Sequence, residues 1–128
     1  MKYLLDTHAL LWFLAGDIKL SVRARQLIED SNHEIFISIV SLWEIAIKVS
    51  LEKVVLGKPF EDLLPEQLHL NSIEILPITV GSLIKLTTLP FHHRDPFDRL
   101  IIAQAFVEGV PIIGVDAAFD AYGISRKW

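Results

Sequence analysis

The chain has 128 residues, 52% of them hydrophobic and 22% charged, which is enough apolar material for one core and excludes an intrinsically disordered chain. It contains no cysteine, which excludes disulfides, thiolate nucleophiles and cysteine-held zinc and fits a reducing cytoplasm. The net charge of -4 argues against a broadly basic surface that grips phosphates by bulk attraction, and no apolar run reaches the length of a membrane span.

The first strand is Tyr3, Leu4 and Leu5, and it stops abruptly at Asp6 and Thr7. Residues 9–14 read as a short helix ended by Gly16; coming after Asp6 and His8, they do not read as a secretory leader. Ser21 is a natural N-cap for a helix running to about Asp30, with Val22, Ala24, Leu27 and Ile28 on its apolar side. Residues 34–39 form a second buried-strand pattern. Helical spacing then starts near Ser41, with Leu42, Ile45, Ala46 and Val49 on one face and Ser41, Glu44 and Lys48 on another. Pro59 opens a third helical region, interrupted or bent at Pro65. Residues 72–78 read as a strand with Pro77 near its end, and Thr79 caps a helix closed by Pro90. Asp95, Pro96 and Asp98 fall at N-cap, N1 and N3 of a helix that runs to Glu108 and stops at Gly109. Residues 111–115 form an apolar strand ended by Asp116, and a short helix and a small strand at residues 123–125 complete the chain. The alternation predicts one α/β domain over residues 1–128, with helices on both faces of a mainly parallel sheet.

Asp6 and Asp116 share one local design: each is an acid directly after an aliphatic strand. In a parallel sheet both enter the crevice beyond the strands' carboxyl ends. Glu44 and Asp98 each lie one turn into a helix that starts at that same edge, where negative charge is favoured. Four acids from distant segments thus converge. Their mutual repulsion needs a counter-charge, and oxygen ligands without cysteine or clustered histidine suit magnesium or manganese. Such ions activate water and stabilise phosphoryl transition states, so the pattern points to a phosphodiesterase or phosphatase. Neither a dinucleotide-binding nor a P-loop glycine motif occurs.

Each of these residues also has a plain structural reading. Asp6 and Asp116 can cap the helices that follow them, Glu44 can pair with Lys48 at i,i+4, and Asp98 can be ordinary helix-start chemistry. Asp95 reads as a structural cap first. Thr7 and Ser41 can hydrogen-bond a carboxylate or a water, and equally can be caps. Arg94 and Arg99 flank Asp98 and can hold substrate phosphates or pair with Asp95 and Glu108. His8 reads as a packing or cleft residue, and His92 and His93 as an exposed loop pair that matches no metal motif. Trp12, Trp43 and Phe97 read as core or interface aromatics, and Lys48, Lys53, Lys58, Arg126 and Lys127 as a possible basic path.

Together LLDTHALLW, SIVSLWEIAIK, RDPFDRLIIAQA and IIGVDAAF resemble the PIN-domain proteins of the VapC toxin type over essentially the whole chain. The resemblance implies a three-layer α/β/α Rossmann-like fold and a magnesium- or manganese-dependent ribonuclease. It implies that Asp6, Glu44, Asp98 and Asp116 are the catalytic and metal-binding acids, supported by Asp95. It further implies a cytoplasmic homodimer formed through first-half helices, with no membrane, and a cognate VapB-like antitoxin whose C-terminal segment wraps the toxin. Gly114 departs from the threonine or serine often found near the last acid of the family. A different metal-dependent nuclease or phosphatase, and a non-catalytic module whose acids bind a basic partner, are the alternatives that the residues leave open.

Overall fold

Strand β1 (Lys2–Leu5) runs through the middle of a five-stranded sheet in the computed structural model, which describes residues 1–128. Strand β2 (Glu34–Ser38) pairs with one side of β1 and strand β4 (Ile112–Ile113) with the other. Strand β3 (Ile73–Leu76) lies outside β2, and strand β5 (Arg126–Lys127) outside β4. All four pairings are parallel and the order is β3-β2-β1-β4-β5. The chain winds to one side of β1 and then to the other, so the switch point falls between β1 and β4, where parallel sheets open a crevice.

Six α-helices cover the sheet: α1 (Thr7–Ala15), α2 (Val22–Glu29), α3 (Ile39–Ser50), α4 (Phe60–Leu70), α5 (Val80–Thr88) and α6 (Pro96–Glu108). Strand alternation splits the core into two layers. Tyr3, Leu5, Ile35 and Ile37 face a cluster with Leu10, Ala24, Ile28, Ile45 and Leu64. Leu4 and Ile112 face the other, with Val40, Ile101, Ile102 and Phe119. This is the three-layer α/β/α arrangement that the alternation predicts. No helix is long and apolar enough to cross a membrane.

Local chemistry sets the boundaries. Ser21 accepts the Ala24 N–H and caps α2, and Thr79 and Ser82 form a capping box on α5. Gly16 and Gly109 end α1 and α6 in the left-handed conformation, which glycine adopts without a Cβ penalty. Several boundaries differ from the pattern; strand β4 is Ile112–Ile113 rather than residues 111–115, so Asp116 lies three residues past its end, and three further differences have a local cause. Helix α3 begins at Ile39 rather than near Ser41, because Ser38 caps it by accepting the Val40 N–H. Helix α4 passes through Pro65 unbroken; Pro65 and Glu61, whose carbonyl loses its helical partner there, are both exposed to water. The last strand lies at Arg126–Lys127, not at residues 123–125, because Ile112 N–H and Gly114 N–H reach the carbonyls of Ser125 and Lys127.

Candidate metal-binding active site

Asp6 leaves the end of β1 at the switch point. Its backbone N–H donates to the Ile113 carbonyl, and its Oδ1 accepts the Ala9 N–H at 2.7 Å as the N-cap of α1. It is therefore the cap of α1, and it also lines the cavity at this sheet edge. Leu5 stands beside Ile113 in the register, which puts Asp6 next to Gly114. A Cβ built on Gly114 would lie 2.5 Å from Asp6 Oδ2, so the carboxylate fills the space that a side chain there would need. This is a physical reason for glycine at this position.

The four acids meet. Asp6, Glu44, Asp98 and Asp116 line one cavity of about 100 Å³, together with Thr7, His8, Lys48, Asp95 and Phe119. Larger hollows exist, one of about 310 Å³ beside His33 and one of about 590 Å³ near Val55, but neither gathers buried acids, so size does not mark the site. Glu44 reaches the cavity from α3 and is buried, with both carboxylate oxygens engaged. Oε1 lies 2.9 Å from Thr7 Oγ1, and Oε2 accepts from Lys48 Nζ at 2.8 Å. A carboxylate only accepts, so the Thr7 hydroxyl donates to Glu44 and in turn accepts from Ser41 Oγ, fully buried and 2.9 Å from Thr7 Oγ1. Asp95 is the N-cap of α6, its Oδ1 accepting from Phe97 N–H at 2.8 Å and Asp98 N–H at 3.3 Å.

The electrostatics match a site built for a cation. Burial pushes the Asp6 carboxyl up to about 6, against the pull of the Ala9 and Val115 N–H groups and of His8. Burial, reinforced by the like charges of Asp95, Glu44 and Asp6, pushes Asp98 up to about 7. For Asp116 partial burial acts upward, but the Ala118 N–H, the hydrogen bond from His93 and the Arg126 guanidinium hold its carboxyl below the usual range. Two neighbouring carboxyls driven upward and one held down is the imbalance that a divalent ion removes.

His93 corrects the reading of residues 92 and 93 as an exposed loop pair. Its Nε2 lies 3.0 Å from Asp116 Oδ2 and 3.1 Å from Asp98 Oδ2, and its side chain is only 16% exposed. The Asp95 N–H donates to Nδ1 at 3.2 Å, which makes Nδ1 an acceptor and puts the hydrogen on Nε2. The His93 backbone N–H donates to the Tyr122 hydroxyl at 2.8 Å, fixing the loop that carries the ring. His93, Asp98 and Asp116 each offer a ligand atom within 4.8 Å of the others, a set able to coordinate a divalent metal. In this tautomer, however, Nε2–H bridges the two acids as a cation would; ligation through Nε2 would require that hydrogen to leave.

The flanking arginines separate. Arg94 is exposed and does not line the cavity. Arg99 is buried, with Nη1 donating to the Pro90 carbonyl at 2.8 Å, Nη2 to the Leu89 carbonyl at 3.3 Å, and its guanidinium over the Phe91 ring. Its charge is spent on the segment before α6, which corrects its reading as a phosphate contact. Trp43 is exposed and is not core; it meets Phe97 edge-on, and Phe97 is half-buried against the second core layer.

Residues 3–124 match the family model described as PIN domain. The chain is 30% identical over 115 residues to Ribonuclease VapC22 of Mycobacterium tuberculosis, covering 88% of this chain and 85% of that protein. Among solved structures, VapBC2 from Rickettsia felis, bound to a DNA fragment from its promoter, superposes with a TM-score of 0.76 at 18% identity over 99% of this chain and 98% of that one. Mycobacterium tuberculosis VapC20, a toxin that cleaves the sarcin-ricin loop, superposes with a TM-score of 0.69 at 16% identity over 95% of each chain. FitAcB from Neisseria gonorrhoeae gives 0.66 at 18% identity over 97% and 95%.

Proposed function

The chain belongs to the PIN-domain family and closely resembles the VapC toxins, and from that premise we propose that it is a magnesium- or manganese-dependent endoribonuclease, the toxin of a toxin–antitoxin pair. The observation that carries this is the convergence of Asp6, Glu44, Asp98 and Asp116 on one cavity at the switch point of the sheet. The donor set is hard oxygen, and raised carboxyls sit beside a lowered one, which fits a small divalent ion better than a softer metal. Asp6, Asp98 and Asp116 would hold that ion. Such an ion, once bound, supplies Lewis acidity toward phosphate and acidifies water.

The chain's own groups do the rest. Backbone N–H groups of Ala9 and Ala118 aim Asp6 and Asp116, Asp95 fixes the first turn that carries Asp98, and Thr7 with Ser41 fixes Glu44. Hydrolysis joins the oxygen of water to phosphorus and breaks the bond from phosphorus to O3′, which leaves with a proton. The products are a 5′-phosphate and a 3′-hydroxyl, and the RNA 2′-hydroxyl is not the nucleophile. The protein acts in the cytoplasm as a single domain over residues 1–128, assembled as a homodimer, and a VapB-like antitoxin holds it inactive.

The test is cleavage of a labelled single-stranded RNA with manganese, with excess EDTA, and by Asp6→Asn. Cleavage only by wild type with metal, leaving 5′-phosphate ends, is expected. Full activity in EDTA, or ends carrying a 2′,3′-cyclic phosphate, would remove the proposal.

A further inference from the structure

Lys48 is the one lysine or arginine that lines the acid cavity, among five carboxylates. It stands on the same face of α3 as Glu44, one turn later, with Nζ 2.8 Å from Glu44 Oε2. An ordinary i,i+4 pair lies in solvent and contributes little. Here the glutamate is buried, its side chain 6% exposed, while the lysine is 36% exposed at the rim. A buried carboxylate thus holds an ammonium at the mouth of an otherwise negative cavity.

This arrangement bears on two residues. The other Glu44 oxygen accepts from Thr7, so an ion that ligated Glu44 directly would share one of these oxygens with the hydroxyl or the ammonium, or displace it. And a substrate phosphate entering among five carboxylates needs a cation from the chain as well as from the metal. Neither Arg94 nor Arg99 lines the cavity, so neither supplies it there.

We propose that Lys48 is the phosphate-contacting cation of this site and that Glu44 is a positioning residue that holds it, rather than a direct metal ligand. The inference rests on the reading of the cavity as a metal-dependent phosphodiesterase site. The ammonium hydrogen-bonds a non-bridging oxygen of the scissile phosphate and keeps all its protons; it contributes charge and a donor, and no atom is transferred to or from it.

The test pairs cleavage with two binding measurements, on proteins first checked for native circular dichroism. Manganese affinity and affinity for an uncleavable phosphorothioate oligoribonucleotide in the presence of manganese are measured for wild type, Lys48→Met, Lys48→Arg and Glu44→Gln. Lys48→Met is expected to bind manganese within about 3-fold of wild type, to bind the oligonucleotide at least about 10-fold more weakly, and to cleave RNA about 100-fold more slowly, the scale of losing one oxyanion donor. Lys48→Arg, which keeps the charge, recovers part of both losses. Glu44→Gln follows Lys48→Met and keeps manganese. Unchanged oligonucleotide binding in Lys48→Met, or loss of manganese in Glu44→Gln as severe as in Asp6→Asn, would overturn the assignment. If wild type binds manganese and oligonucleotide but cleaves no RNA, the ribonuclease reading fails, and the binding arm still decides the role of Lys48.

Discussion

Replacing Gly114 by alanine adds one methyl group, and the structure says where it lands. The new Cβ would lie 2.5 Å from Asp6 Oδ2, 2.9 Å from Cγ and 3.3 Å from Asp6 Cβ. The Gly114 backbone is not in the left-handed region, so the conflict is purely one of space. Asp6 cannot step aside freely, because its Oδ1 caps α1 through Ala9 and its main chain is bonded to Ile113. Losing the cap costs about 1 kcal/mol, and overpacking a closed position costs about 1–3 kcal/mol. A destabilisation of about 2–4 kcal/mol is therefore expected, read as a lower midpoint in urea with an unchanged slope. Displacing a ligand by about 1 Å also costs on the order of 100-fold in rate, so manganese affinity and cleavage should fall together. The decisive control is a double-mutant cycle with Asp6→Ala, which removes the group in conflict. In that background Gly114→Ala should cost under about 0.5 kcal/mol, the ordinary limit of additivity error. A Gly114→Ala protein with wild-type stability and metal affinity, or a cost undiminished by Asp6→Ala, would refute the reasoning.

Three further outcomes follow from the same geometry. Asp6 and Asp98 have folded pKa values of about 6 and about 7, above the ordinary 3.8, so the stability they lend when protonated is present below about pH 4 and lost as pH rises through 6 to 7. For Asp6 a rise from 3.8 to about 6 corresponds to at most about 3 kcal/mol, so metal-free protein should melt at a lower temperature at pH 8 than at pH 5, and saturating manganese should reverse the order. Asp116 is lowered, so its contribution changes only below its ordinary range and does not oppose this trend between pH 5 and 8. Asp6→Asn should make that pH dependence shallower and raise the metal-free melting temperature at pH 8 while abolishing cleavage; an unstable, inactive Asp6→Asn would indicate a purely structural acid. Arg99→Met leaves the Leu89 and Pro90 carbonyls without their donor and should cost about 2–4 kcal/mol in urea unfolding, whereas exposed Arg94→Ala should change stability by under about 0.5 kcal/mol. Equal effects at the two arginines would contradict the placement of Arg99.

Much of this site is legible in the sequence because strand and helix periodicity carry it. Asp6 directly after β1 and Asp116 three residues after β4 come to the same sheet edge, and the Asp95–Pro96 start fixes the turn on which Asp98 lies. His93 is not legible in this way. Its role comes from a tight turn in which the Asp95 N–H meets Nδ1, and a pair of adjacent histidines carries no periodic signal. Its one local signal is its spacing, since a histidine two residues before an N-cap can accept that residue's backbone N–H. Arg99 sits beside Asp98 in sequence, but one helical step turns a side chain by about 100°, so neighbours in sequence face different surroundings. Strand β5 is two charged residues at a sheet edge, held by backbone hydrogen bonds and by the Arg126 guanidinium on the Gly114 carbonyl, and no hydrophobic pattern marks it. The space requirement at Gly114 needs the β1–β4 register, which no local pattern reveals.

The most direct measurement is the anomalous scattering of manganese in a crystal of the wild-type protein grown with the ion. A peak within ligand distance of Asp6, Asp98 and Asp116 is predicted, with His93 Nε2 no longer bridging the two acids. A fully loaded crystal whose manganese lies elsewhere, with His93 still spanning Asp98 and Asp116, would contradict it.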